Sequence, residues 1–179
     1  MKLAIADPPY LGRANRWYGT GRGHQAGHGR ADAHPDAAHW DQLDTHLELL
    51  ARLEAEYDGW AYAAAPDYER DLTPALPREV QRMIWHRGNA IPSGARLRST
   101  YEIALVKIPP GRRGHGTGLA VDDVLNAGVS VQRGFAGAKP DAWTRWVLAA
   151  LGYQAGVDEL DDLFHGSGAV AHAAQALIF

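Results

Sequence analysis

A chain of 179 residues, 46% of them hydrophobic and with six Trp and seven Tyr, has the length of one domain and enough apolar material for a core. The absence of cysteine rules out a disulfide framework and thiolate metal sites. A net charge of −3 speaks against a chain that binds polyanions over its whole surface, and no apolar run approaches the ~20 residues of a membrane helix.

Residues 2–6 (KLAIA) predict a short buried strand ending at Asp7. The opening MKLAIADPPY turns acidic too soon for a signal peptide, so a cytoplasmic location is expected. DPPY at 7–10 combines an acceptor carboxylate, two prolines that lack a backbone donor and hold φ near −65°, and an aromatic ring. Taken alone, it reads equally well as a strand stopping at a tight turn. The segment 11–39, with TGRGHQAGHGRADAH at its centre, has no apolar period and predicts a long mobile loop. Residues 40–57 place Leu43, Leu47, Leu50 and Leu53 at helical spacing, predicting an amphipathic helix. Asp58-Gly59 closes it, and WAYAAAP (60–66) predicts the next buried strand.

Pro74 and Pro77 mark a loop, after which 80–86 (VQRMIWH) and 101–108 (YEIALVKI) predict strands. From 78 to 118 the residues Arg78, Arg82, Arg87, Arg96, Arg98, Lys107, Arg112 and Arg113 stand against only Glu79 and Glu102. That stretch is suited either to phosphates or to plain solvation. Residues 122–133 carry no decisive pattern. A helix is predicted over 139–152, with Pro140 near its start, Trp143, Trp146, Val147 and Ala150 along one side, and Gly152 just beyond its end. The final VDELDDLFHGSGAVAHAAQALIF predicts strand, glycine turn and helix. Strands alternating with helices indicate an α/β domain with a mostly parallel sheet, spanning 1–179 without a linker.

DLFHGSG at 162–168 lies between the last predicted strand and helix. Gly166 and Gly168 let the backbone turn sharply and approach a ligand, and helix N-terminal amides beyond them favour a carboxylate. Together with DPPY, this resembles the amino-methyltransferases that use S-adenosylmethionine, with their [D/N/S]-PP-[Y/F/W] catalytic motif and DxFxGSG cofactor motif. GAKP at 137–140 resembles the segment that precedes the family's cofactor strand, and IWHRGNAIPSGARLRSTYEIALV resembles its strand-loop-strand between the two motifs. The order, catalytic motif first, is that of the circularly permuted branch.

The resemblance implies a Rossmann-like methyltransferase sheet, circularly permuted, with flanking helices. It also implies roles. Asp7 and the carbonyl of Pro8 would accept the N–H groups of an exocyclic amine, Pro9 would stiffen that turn, and Tyr10 would stack on the extruded base. Asp162 would meet the methionine amino group of S-adenosylmethionine, Lys139 beside Pro140 its carboxylate, and Leu163, Phe164, Gly166, Ser167 and Gly168 would shape the cofactor turn, with Asp7 closing the cofactor side. Core packing for Phe164 and a solvent-facing Lys139 remain open alternatives. For Trp17 and Tyr18 the substrate site, a lid and plain surface packing stay open.

Two departures from the family pattern carry expectations of their own. The usual family member continues past the cofactor motif with a strand whose acid holds the ribose hydroxyls, whereas this sequence ends at Phe179. A shortened sheet of about five strands with the cofactor strand near one edge is expected. So are a weak hold on the adenosine half and an edge open to a homodimer or a specificity partner. No sizeable target-recognition insertion separates Pro109 from Gly137, which implies relaxed or short sequence recognition. Segments 11–39 and 78–118 are then the candidate substrate contacts. The function implied is DNA adenine N6 methylation. The alternatives are cytosine N4 or RNA adenine methylation, or a catalytically silent nucleic-acid-binding partner subunit. A metal protein built on His24, His28, His34 and His39 with Asp32 or Asp36 is the remaining rival, but that spacing matches no compact site, so no metal is expected.

Overall fold

The computed structural model describes residues 1–19, 35–88, 96–114, 120–129, 138–166, 168 and 170. One six-stranded sheet organises them: β1 (Lys2–Ala6), β2 (Gly59–Ala64), β3 (Gln81–His86), β4 (Tyr101–Lys107), β5 (Val124–Asn126) and β6 (Glu159–Asp162), in the order β5-β3-β4-β2-β1-β6. β1 pairs in parallel with β2 and β6, and β3 pairs in parallel with β5. β4 is antiparallel to both β2 and β3, so it alone runs against the other strands.

The sheet is covered on both faces, which is why β1 and β2 read as continuous apolar runs. Leu3 and Ile5 of β1 point into a core with Trp85, Val106 and the Trp143, Val147 and Leu151 side of α4 (Asp141–Leu151). Ala4 and Ala6 point the other way, with Tyr62 and Leu105, onto Leu50 and Leu53 of α2 (Leu43–Glu56). The result is a three-layer α/β/α domain. Its α4 ends as the sequence predicts: Gly152 sits at φ 66 and its N–H donates to Ala149 O, while the Tyr153 amide donates to Leu148 O.

Three segments differ from expectation. β5 falls in the stretch without a decisive pattern and brings the sheet to six strands. Its three residues carry too short a pattern to read, and it is held from outside by pairing of Val124 with Ile84 and by the Trp85 indole donating to Ala127 O at 2.8 Å. Where Pro74 and Pro77 suggest loop, α3 (Glu69–Leu72) lies between two short 3-10 turns that carry Pro66 and Pro74 near their starts. Within 11–39 a short helix, α1 (Ala14–Tyr18), forms because the amides of Ala14 and Asn15 donate to the Asp41 carboxylate at 2.9 and 3.0 Å. The remainder of that predicted loop at 20–34, the helix after the glycine turn from 171 onward, and Ser167 lie outside the described residues.

Among the described residues β6 pairs with β1 alone, so the strand carrying the second motif stands at one edge of the sheet, as expected. Its start is fastened by Asp158, whose side chain is 0% exposed. That carboxylate accepts from both Arg112 Nη atoms at 2.7 and 2.8 Å, from the Met1 ammonium at 2.9 Å and from the Gln154 amide at 2.7 Å. Burial works to raise its pKa, but these donors outweigh it and hold the carboxyl well below the usual range.

Candidate active site

Parallel strands deliver their carboxyl ends to one edge, the usual place for ligands in α/β folds. Here that edge receives Asp7 from β1, Asp162 from β6 and Arg87 from β3. Because β4 runs backwards, its start brings Glu102 to the same place: Ile103 lies opposite Ala64, the last residue of β2. The register sets Asp162 beside Ile5, and the Leu163 amide donates to Ile5 O at 3.0 Å. Asp7 and the turn following Asp162 are therefore neighbours across one strand gap, close enough for the Asp162 charge to act on Asp7.

The centre of this edge is a buried chain of alternating charges. Lys139 Nζ lies 2.9 and 3.0 Å from the two Asp7 oxygens, 2.9 Å from the Tyr10 hydroxyl and 3.3 Å from Glu102 Oε2. Tyr10 donates its hydroxyl to Glu102 Oε2. Glu102 Oε1 accepts from Arg87 Nη1 at 3.1 Å, and Arg87 Nη2 donates onward to Ser99 O at 2.6 Å. The Lys139 ammonium is also walled by rings, 5.0 Å from the centroid of Tyr10, 5.6 Å from Trp143 and 5.7 Å from Trp85. Lys139 immediately precedes Pro140, the N-cap of α4, so the helix that covers the sheet also sets the lysine in place.

Burial raises the pKa of Asp7, with Glu102 and Asp162 adding to the rise and Lys139 opposing it. For Lys139, burial disfavours the ammonium, but the Asp7 and Glu102 carboxylates win and lift its pKa above the ordinary lysine value. Burial and then the charges of Glu102 and Asp7 push the Tyr10 phenol up, so it stays protonated as a donor. Lys139 is thus a buried ion-pair partner of the first motif rather than a solvent-facing side chain.

The other residues of the two motifs shape turns. Pro8 is buried, and the Tyr10 carbonyl accepts from the Arg13 amide at 2.9 Å. That turn depends on Gly12, which has φ +69 and lies against the Tyr68 phenol ring. Replacing Gly12 with Ala forces a Cβ into that ring at a strained φ. Urea unfolding should show a loss of about 1–2 kcal/mol.

At the second motif, Leu163 packs towards α2. Phe164 does double duty: its ring meets Trp40 edge-on at 5.0 Å and its amide donates to Asp162 Oδ1 at 3.2 Å. Gly166 and Gly168 take φ +32 and +76, with the Gly168 amide donating to His165 O at 2.7 Å. Among the described residues, none lies within 4 Å of where a Gly168 Cβ would stand. Half-buried Tyr18 on α1 feels the charges of Asp7 and Lys139, whereas Trp17 lies under the Arg16 guanidinium at 5.6 Å.

The sequence does not single out Glu102 and Arg87 as site residues; they stand there only as members of the basic stretch and of the strand-loop-strand segment. The available signal was an acid on the buried face of an otherwise apolar strand, in phase with Ala104 and Val106. The basic stretch 78–118 also divides. Arg82, Arg87, Lys107 and Arg112 are paired internally with Glu69, Glu102, Glu54 and Asp158, while Arg78, Arg96 and Arg98 are exposed. Among the described residues no three His, Asp or Glu side chains gather as metal ligands. His24, His28 and His34 lie outside those residues, and the carbonyl of His39 accepts from the Thr45 hydroxyl at 3.0 Å. No described helix is long and apolar enough to cross a membrane.

No protein-family model matches the sequence, and no curated protein sequence is similar to it. Solved structures do match the architecture. The crystal structure of the M1.HpyAVI-SAM complex aligns with a TM-score of 0.57 at 16% identity, covering 98% of this chain and 77% of that one. The crystal structure of M1.HpyAVI aligns with a TM-score of 0.55 at 15% identity, covering 98% and 76%. Six strands in one sheet, helices on both faces and these alignments give the chain a Rossmann-like α/β fold similar to that of M1.HpyAVI.

Proposed function

We propose that this chain is an S-adenosylmethionine-dependent methyltransferase acting on the exocyclic N6 amino group of adenine in DNA. The observation that carries the reading is the adjacency of Asp7 and the Asp162–Gly168 turn at one sheet edge, where the two motifs would have to meet. Likeness in fold to M1.HpyAVI, crystallised with SAM, supports the same reading.

The residues at the turn fit such a donor. Asp162 is a half-buried carboxylate suited to an ammonium, and Gly166 and Gly168, at positive φ and without a Cβ, let the donor's methionine end approach the backbone. When bound, the donor supplies an electrophilic methyl on a sulfonium. Lys139 pairs with Asp7, Tyr10 and Glu102 and so ties the amine clamp to the start of α4, beside the place where the donor's methionine carboxylate would lie.

An adenine amino nitrogen is a poor nucleophile because its lone pair is delocalised into the ring. Asp7 and the Pro8 carbonyl each accept one of its N–H groups, which favours a pyramidal nitrogen with its lone pair aimed at the methyl. Prolines fix the direction of that carbonyl, and Tyr10 stacks on the base drawn out of the duplex. Exposed Arg96 and Arg98, on the β3–β4 connection at the same edge, offer cations to the phosphates. Asp at the first motif position favours adenine over cytosine.

The test is nucleoside analysis of duplex DNA after incubation with protein and methyl donor. N6-methyladenine is the expected product. Methylation confined to cytosine N4 or to RNA, or binding of DNA without any transfer, would overturn the assignment.

A further inference from the structure

We infer that Glu102 is a positioning residue for methyl transfer: anchored by Arg87, its carboxylate takes a share of the Lys139 ammonium and the hydroxyl of Tyr10, leaving Asp7 able to accept the amine. The inference rests on reading Asp7 as the amine's acceptor. An ammonium offers three N–H donors and a carboxylate oxygen has two lone pairs. Lys139 sits within 3.0 Å of both Asp7 oxygens, which by itself would compete with an incoming N–H.

Glu102 counters that competition. Its Oε2 lies 3.3 Å from Lys139 Nζ and also receives the Tyr10 hydroxyl, while Lys139 donates to the same hydroxyl at 2.9 Å. The cation is thereby divided between two carboxylates. The far end of the Tyr10 ring is tied at two points, so the ring presents one fixed face. Arg87, held to Ser99 O at 2.6 Å, fixes the Glu102 carboxylate in place. With Glu102 neutral, Asp7 becomes the only anion on Lys139, the pair tightens, and Tyr10 loses a charged anchor.

Among the described residues, the charged and titratable groups facing Asp7 are Lys139 before α4, Glu102 on β4, Asp162 on β6, Tyr10 in its own turn, Tyr18 on α1 and Tyr62 on β2. Among these Glu102 raises the Asp7 pKa, so removing its charge must lower it. That gives the role a signature which mere structural support would not produce.

The experiment is single-turnover methylation of duplex DNA across pH by the wild type, Glu102→Gln, Glu102→Asp and the double variant Arg87→Met/Glu102→Gln. Glu102→Gln should slow transfer about 10- to 100-fold, the scale set by small misplacements at a reacting centre. Donor and DNA affinities should hold, and the acid limb of the profile should move to lower pH. Glu102→Asp should recover part of the rate. The double variant leaves no unpaired guanidinium, so it should stay folded and show the same defect. Wild-type rate in Glu102→Gln, a rate loss with an unmoved acid limb, or a loss traced to donor binding would overturn the inference.

A wild type that transfers no methyl would defeat the underlying reading instead. The network is then judged by crystal structures of the wild type and Glu102→Gln. In Glu102→Gln the Lys139 ammonium must draw towards Asp7 and the Tyr10 ring must leave its fixed place, and an unmoved lysine and ring overturn the inference.

Discussion

Replacing Asp7 with Asn should cut the single-turnover rate of methyl transfer about 10³-fold while donor binding persists. The carboxamide has nearly the shape of the carboxylate, so the turn at Pro8 and Pro9 is undisturbed. It carries one acceptor oxygen in place of two, and Lys139 lies within reach of either position. Little acceptor strength is left for the amine N–H. The same logic fixes the pH dependence. Burial raises the Asp7 pKa above its ordinary 3.8, with Lys139 opposing. A protonated Asp7 donates rather than accepts, so the wild-type rate should fall as pH drops through that raised value. Rapid-quench assays from neutral to mildly acid pH check both points, with calorimetric donor titration as the control.

Replacing Lys139 with Met should cost about 3 kcal/mol of stability, the lower end of what removing one partner from a buried pair produces. The lower end applies because the Asp7 side chain is 31% exposed and can relax towards water, whereas those of Lys139 and Glu102 are 6% and 9% exposed. Without the cation, two carboxylates face each other in a wall of aromatic rings. The variant should therefore regain stability as pH is lowered and one of them takes a proton. In the wild type the sign is the reverse. The lysine pKa is lifted above 10.5 in the folded state, so its contribution is complete below that value and disappears only as pH rises through the folded value. Urea melts of both proteins from pH 5 upward separate the two trends.

Which parts of this arrangement can be read from sequence follows from how local their causes are. β1, β2 and β4 carry their apolar runs within a few residues. α4 carries its own start at Pro140 and its own stop at Gly152. The glycine turn after β6 needs positive φ at Gly166 and Gly168, and glycine announces that directly. β5 could not be read in this way, because its three residues are ordered by Ile84 and Trp85 from another part of the chain.

The charge chain was legible only in pieces. Asp7 and Lys139 both stand out in motifs, yet they are 132 residues apart, and nothing local indicates that they pair. The resemblance concerns the cofactor carboxylate for Lys139 and does not reveal that its ammonium also meets Asp7. Glu102 and Arg87 belong to no motif and become visible only when β4, running backwards, carries Glu102 to the edge where β1 ends. The basic stretch likewise looked uniform until Arg82, Arg87, Lys107 and Arg112 were found paired within the domain.

A crystal structure of the protein soaked with S-adenosylhomocysteine, the donor without its methyl, tests the central arrangement most directly. The amino acid end should rest against Asp162 and the Gly166–Gly168 turn, with the sulfur facing the Asp7 carboxylate and Tyr10. A ligand bound on another face of the sheet, or one whose sulfur points away from Asp7, would contradict it.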